Sequence, residues 1–359
     1  MSSRTRTPSS DTPTRVTIRD VARAAGVSLG TASRALNRSG PVSEAALQAV
    51  ERAAKALAYA PDPIAQSMRT GTSGVVGLLV SDLANPLYAR IITAVEIRLQ
   101  REGYAMVVGN THNSKAQEEL MVDLFRRRRV DGLILGPCEV ERADYLEQIS
   151  RDLAVVAMDR DFGEQGSGVH VDHFRGAYEA CRYLLDLGHT RIALMTSDGA
   201  LRPGRERIDG YRTAMAERGL TVDETLVRAS RSAMDLSFSD ALALLSAKSR
   251  PTAFICLGTR ILSGVLQATR QTGHRVPHDV SLICVGDGDL PQLYSPAITA
   301  ISWDLEAVGT AAAEILLRSI GGAADRAQAK EKEQGAQEVR LTTQVIMRES
   351  CAPPPAAKA

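Results

Sequence analysis

Between residues 74 and 345 the chain alternates short apolar runs with longer amphipathic stretches, and this alternation limits the fold more than any other feature. Strands are predicted at 74–80, 105–109, 131–135, 154–158, 169–171, 191–195, 253–257 and 281–285. Helical stretches such as 88–102, 115–127 and 175–187 lie between them. Strand–helix alternation builds parallel sheets covered on both faces by helices. About 270 residues is large for one such sheet around a single core, so two lobes are expected. Ligands of open parallel sheets sit beyond the carboxyl ends of the strands. That rule selects Asn85 and Tyr88 after the first strand, Asp159 and Arg160 at the end of "AVVAMDR", and Asp289 at the end of "VGDGD". Trp303 is the only tryptophan; near the crossover between lobes, its ring is suited to stack on a sugar face.

The first 73 residues follow a different pattern. In "TIRDVARAAGVSLGTASRALN" (17–37), Ile18, Val21, Ala22 and Ala25 fall on one stripe of a helix that Thr17 caps and Gly26 stops. Ser28 caps a second helix, with Ala32 and Leu36 inward and Gly30, Ser33, Arg34 and Asn37 outward. A third helix fits "SEAALQAVERAAKALAY", with Leu47, Val50, Ala54 and Leu57 inward. Helices this short are marginal alone and need a shared core. The first two, joined by a tight glycine turn, make a helix-turn-helix. A second helix of this size fits the major groove of B-DNA with its N-terminal residues at base edges. The Ser, Thr and Asn side chains here (Thr17, Ser28, Thr31, Ser33 and Asn37), with the free N–H groups of the helix start, suit phosphate oxygens and are candidate DNA contacts. Arg34 is placed for a bidentate bond to guanine, and Leu29 for a thymine methyl. Gly30 offers no side chain, so any readout there is steric.

Charge divides the same way. Residues 1–73 hold 10 Lys or Arg and 5 Asp or Glu, a balance of +5, while the remainder carries −4. A basic N-terminal piece on a mildly acidic body fits a polyanionic partner for that piece. Residues 1–13 and the tail 351–359 are polar or proline-rich and are expected to be disordered. Neither a secretory leader nor a membrane-spanning run is predicted, which points to the cytoplasm. Five scattered cysteines form no C-x-x-C pair and read as buried thiols in a reducing compartment. The run "RRRR" at 126–129 ends a helical stretch, where cations suit the helix dipole. No catalytic constellation, metal-ligand cluster or dinucleotide fingerprint stands out, so no enzyme, metal or cofactor is expected.

Residues 59–71, "YAPDPIAQSMRTG", separate the two regions, and a short helix at Ile64–Arg69 fits them. Through the head and this segment, the chain resembles the lactose-repressor family of bacterial transcriptional regulators. The likeness continues in order through "GLLVSDLANPLYARIITAVE", "RRRRVDGLILGP", "LLDLGHTRIALM", "RERIDGYRTAM", "VPHDVSLICVGDGDL", "SPAITAI" and "VIMRES".

The resemblance implies an all-α helix-turn-helix head (14–60), a hinge helix and linker (61–73) and an α/β two-lobed, periplasmic-binding-protein-like effector and dimerisation domain (74–350). It implies double-stranded operator DNA of near-palindromic sequence as a partner, a small-molecule effector between the lobes, and a homodimer. No tetramer-forming heptad tail is apparent after residue 350. By the same resemblance Arg207, in "RERIDGY", grips ligand hydroxyls or carboxylates, and Met68, beside Ala65 in the hinge, takes the place of a leucine that wedges into the minor groove. Two departures follow. Gly258-Thr259 stands where family members often carry Asn-Asp, and Gly288 where they carry Asp, which argues against a simple neutral sugar and leaves a sugar acid or other small metabolite open. A solute-binding protein of the same fold is the alternative function. An α/β enzyme with an accessory head is a third.

Overall fold

The computed structural model describes residues 16–60, 71–138, 143–160, 166–230, 237–321 and 337–356. The chain divides into two units between Ser73 and Gly74. The hinge helix expected at Ile64–Arg69, with Ala65 and Met68, lies outside the described residues.

The first unit has three helices, α1 (Ile18–Ala25), α2 (Leu29–Asn37) and α3 (Glu44–Ala56). Thr17 donates through its N–H and its hydroxyl to the Asp20 carboxylate, at 3.0 and 2.7 Å. Gly26 ends α1 in the left-handed region at φ 67°. Its N–H and that of Val27 return to the carbonyls of Arg23 and Ala22, a stop that a side chain would strain. Ser28 caps α2 by accepting the Thr31 N–H at 3.1 Å. Val21, Ala22, Ala32, Ala35, Val50 and Ala53 form the buried core. Val21, Ala32 and Val50 are fully buried, and Ala35 and Ala53, not expected to face inward, join them, while Leu36, Leu47, Ala54 and Leu57 pack half-buried around them. The small alanines let the helices approach closely enough to share so few side chains.

The second unit holds two six-stranded sheets. The first contains β1 (Val75–Val80), β2 (Ala105–Asn110), β3 (Gly132–Leu135), β4 (Ala154–Met158), β5 (Gly168–Val171) and β11 (Glu338–Leu341), in the order β11-β5-β4-β3-β1-β2. All its pairings are parallel. The second contains β6 (Ile192–Ser197), β7 (Val227–Ser230), β8 (Ala253–Leu257), β9 (Ser281–Val285), β10 (Thr299–Ser302) and β12 (Gln344–Ile346), in the order β12-β10-β9-β8-β6-β7. It is parallel except for β12, which runs antiparallel to β10.

The helices of the first sheet are α4 (Pro86–Gln100), α5 (Lys115–Arg127), α6 (Ala143–Ser150) and, much later in the chain, α12 (Leu305–Gly321). The second sheet is served by α7 (His173–Asp186), α8 (Arg202–Glu217), α9 (Ser237–Ser246), α10 (Gly258–Gln271) and the short α11 (Asp289–Leu293). The central strands are apolar throughout, as in "VVGLLV" and "AFICL", because helices cover both faces. The chain crosses between lobes three times: from β5 to α7, from β10 to α12, and from β11 to β12. Helix packing at the crossovers is tight. A Cβ at Gly309 of α12 would stand 2.5 Å from the Ile91 carbonyl of α4, and one at Gly210 of α8 would stand 2.3 Å from the Phe174 carbonyl of α7.

Two sequence expectations need adjusting, and a third is met. The start of the tail read as disordered is anchored, because its backbone completes side-chain hydrogen bonds of the second sheet. The Ala352 N–H donates to Ser281 Oγ at 3.1 Å and its carbonyl accepts from Ser281 and from His189 Nε2. Strands β7, β10, β11 and β12 were not predicted. The arginine run does end a helix, and Arg126 there bonds Asp152 at 2.6 Å.

Candidate nucleic-acid surface and ligand cleft

On the head, α2 presents the residues that sequence reasoning placed outward. Leu29 is 45% exposed although apolar. Gly30, Ser28 and Arg34 are exposed, and Thr31 and Ser33 are half-buried. Ser28 Oγ and Thr31 Oγ1 lie 2.9 Å apart, and Arg34 Nη2 reaches Thr31 Oγ1 at 3.5 Å. Gly40 gives the arginine stem its path, since a Cβ there would stand 3.2 Å from Arg34 Cδ. Asn37 is turned back: it is half-buried, and its amide donates to the Ser33 carbonyl at 2.7 Å. Thr17, though exposed, commits its hydroxyl to Asp20. That bond, with the Thr17 N–H, holds the Asp20 carboxyl below its ordinary pKa.

Between the two sheets of the second unit lies a cavity of about 720 Å³, a size that suits a small metabolite. Six of the seven predicted ligand residues line it: Asn85, Tyr88, Asp159, Arg160, Arg207 and Trp303. Asp289 does not. It begins the short helix α11, where a carboxylate suits the helix start, and its neighbour Asp287 bonds Arg348 at 2.9 Å. Ser81, Asp82, His112, Asn113, Ser197 and Arg260 also line the cavity and were missed. Ser81 and Asp82 directly follow β1, and Ser197 ends β6, so the strand-end rule, applied to every strand, would have found them.

Each predicted residue has a local role. Asn85 caps α4, accepting the Leu87 N–H at 3.1 Å. Tyr88 shares a 3.0 Å hydrogen bond with Ser81. Arg160, 9% exposed, donates to the Pro137 carbonyl at 3.4 Å and to Asn113 Oδ1 at 3.2 Å. Behind the wall is a buried relay that the sequence did not announce. Arg207, 4% exposed, has Nη2 2.9 Å from His173 Nδ1, and His173 Nε2 lies 2.8 and 3.0 Å from the two Asp159 oxygens. A guanidinium only donates, so Nδ1 must accept and Nε2–H must donate to the carboxylate. The imidazole is therefore neutral. Burial, then the Arg207 charge, lowers its pKa. Burial would raise the Asp159 pKa, but its interaction and hydrogen bond with His173, then the Arg207 charge and the Val171 N–H, leave it below the ordinary value. Burial lowers Arg207 to about 10, so it remains charged at neutral pH. The Trp303 ring meets His173 edge to face, with centroids 5.6 Å apart. Asp82 and Arg260 form an ion pair that joins one lobe to the other at the cavity wall.

A helix-turn-helix head and a two-lobed domain enclosing a small-molecule cavity, in one chain, define a ligand-responsive DNA-binding regulator. Comparison with known proteins agrees in both regions: residues 17–62 match the family described as bacterial regulatory proteins, lacI family, and residues 181–351 match the periplasmic binding protein-like domain. The chain belongs to the lacI family of bacterial transcriptional regulators. It is 33% identical over 311 residues to the HTH-type transcriptional repressor PurR of Vibrio cholerae serotype O1, covering 85% of this chain and 91% of the relative. Among solved structures, a complex of the transcriptional regulator CelR with cellobiose is 29% identical, with a TM-score of 0.66 over 94% of this chain and 100% of that one. A Lac repressor dimer bound to operator and the anti-inducer ONPF shares the fold with a TM-score of 0.81 at 23% identity, over 94% and 99% of the two chains. Relatives that match through the head as well as the lobes are regulators, which sets aside the solute-binding alternative. Among the described residues no helix is long and apolar enough to cross a membrane.

Proposed function

We propose that the chain works in the cytoplasm as a homodimeric repressor without enzymatic activity, its grip on a near-palindromic operator set by a small metabolite, a sugar or sugar acid, bound between the lobes. The observation that carries this reading is the pairing, in one chain, of an exposed recognition helix with a cavity between the lobes that is lined by both apolar and charged side chains. Two heads related by the dimer axis read two half-sites. Ser28, Thr31 and Ser33 contact phosphates, Arg34 reads a guanine, and Leu29 meets a thymine methyl. Asn37, folded back on its helix, contributes less. Met68, with Ala65, inserts an apolar wedge into the minor groove. The names of relatives support the same reading: one is a repressor, one is complexed with a disaccharide, one is a dimer on its operator.

Binding of the purified chain to genomic fragments, against random duplex of equal length, tests the proposal. A selected fragment should be preferred, and a metabolite that raises the melting temperature should change that preference. No preference for any fragment, with or without metabolites, overturns it.

A further inference from the structure

The cavity wall carries more cationic than anionic side chains. Its charged residues are three arginines and two aspartates. Both aspartates are occupied. Asp82 takes Arg260 on one oxygen and the Ala84 N–H on the other. Asp159 takes His173 on both oxygens and the Val171 N–H as well. Arg160 and Arg207 are in the opposite position. The partners of Arg160 are a backbone carbonyl and a neutral amide. The partner of Arg207 is a neutral imidazole, and its Nε is buried with no acceptor among the described residues. No carboxylate forms a salt bridge with either guanidinium among the described residues. Gly258, on the same wall, brings no side chain that would accept from a ligand hydroxyl.

Asp159 and Glu206 attract Arg207 only at longer range, and the neighbouring Arg160 repels it; two close, buried guanidiniums without a directly bonded carboxylate are held at a free-energy cost that a bound anion relieves. Guanidinium groups match carboxylate and phosphate oxygens in both charge and geometry. Resting on the regulator reading above, we propose that the effector is a small anion whose carboxylate or phosphate oxygens bridge Arg160 and Arg207. Arg160 is then the residue that separates an acid from its neutral counterpart. The Arg207 charge also explains why the relay behind it ends in a carboxylate: Asp159 and neutral His173 orient the guanidinium toward the cavity while leaving its Nε unbound.

The test is a thermal-shift and calorimetric screen of the full chain against metabolites arranged as matched sets, for example D-glucose, D-gluconate, D-glucuronate and D-glucose 6-phosphate. At least one acid or phosphate should bind about tenfold tighter than its neutral partner. Whether the carboxylate or the phosphate of a set binds identifies the group. Arg160→Gln should lose that preference, and Arg160→Lys should keep part of it. The unliganded melting curve of each variant reports folding separately. A neutral compound that binds as tightly as its acid, an anion bound equally by native and Arg160→Gln protein, or a screen in which no anion binds overturns the assignment. Operator binding is read in parallel. A neutral effector that changes it leaves the regulator reading intact while removing this one, whereas absence of operator preference removes the regulator reading itself.

Discussion

Arg34 is the side chain proposed to read a base. Its stem passes over Gly40, and its head is exposed with only a long contact to Thr31. Arg34→Ala should weaken binding to the selected operator by about 1–3 kcal/mol, with a much smaller loss on random duplex, as titrations on both DNAs will measure. Equal losses would reduce Arg34 to a phosphate contact. His173 carries a pH dependence. Its folded pKa lies below the ordinary value, so below about pH 6.5 the unfolded chain binds a proton that the folded chain refuses. Stability is full above that pH and falls on acidification, by up to about 1.4 kcal/mol per pH unit for this one proton. Urea unfolding at pH 7.5 and 5.5 should show a smaller acid loss in His173→Gln than in the native chain. His189 and His274, also lowered by burial, titrate in both proteins and cancel. At this scale the sequence was partly legible. Strand ends identified four cavity residues, Asn85, Tyr88, Asp159 and Arg160, because position along a strand fixes position in the cleft, while Arg207 came from the family resemblance. The relay was not legible, because His173, Asp159 and Arg207 come from different elements and meet only through topology.

At the scale of elements, apolar runs and caps decided what could be foreseen. Strands such as β1 and β8 are five or six uninterrupted apolar residues, and α1 and α2 have their stops and caps written in Thr17, Gly26 and Ser28. The four missed strands are three or four residues long, and β11 is largely exposed. Such segments become strands because a neighbouring edge is available, not because their composition demands it. Helix–helix contacts rest on glycines whose role is visible only in three dimensions. At Gly309 a methyl group would press on the Ile91 backbone, and backbone cannot move aside as a side-chain tip can. Gly309→Ala should lower the stability of the two-lobed unit by about 1–3 kcal/mol, seen as a lower urea midpoint. The head, which has its own core, should unfold as before. An unchanged midpoint would mean that α4 and α12 can separate freely.

For the whole molecule, regulation is a coupling between two binding events, and coupling is reciprocal. If the effector changes operator affinity by some factor, the operator must change effector affinity by the same factor. Calorimetry of the effector with and without saturating operator DNA should return the ratio found in DNA titrations with and without effector. Unequal ratios would mean that a third equilibrium, such as dimer dissociation, has been left out. The threefold passage of the chain between lobes has a consequence for synthesis. The first lobe to begin is among the last to finish, because β11 and the covering helix α12 come from the final quarter of the sequence. A ribosome has released a complete head long before either control lobe can close. Messages or chains cut short downstream would therefore yield a head without the effector cavity and, in the proposed dimer, without the lobes that pair it with a second head.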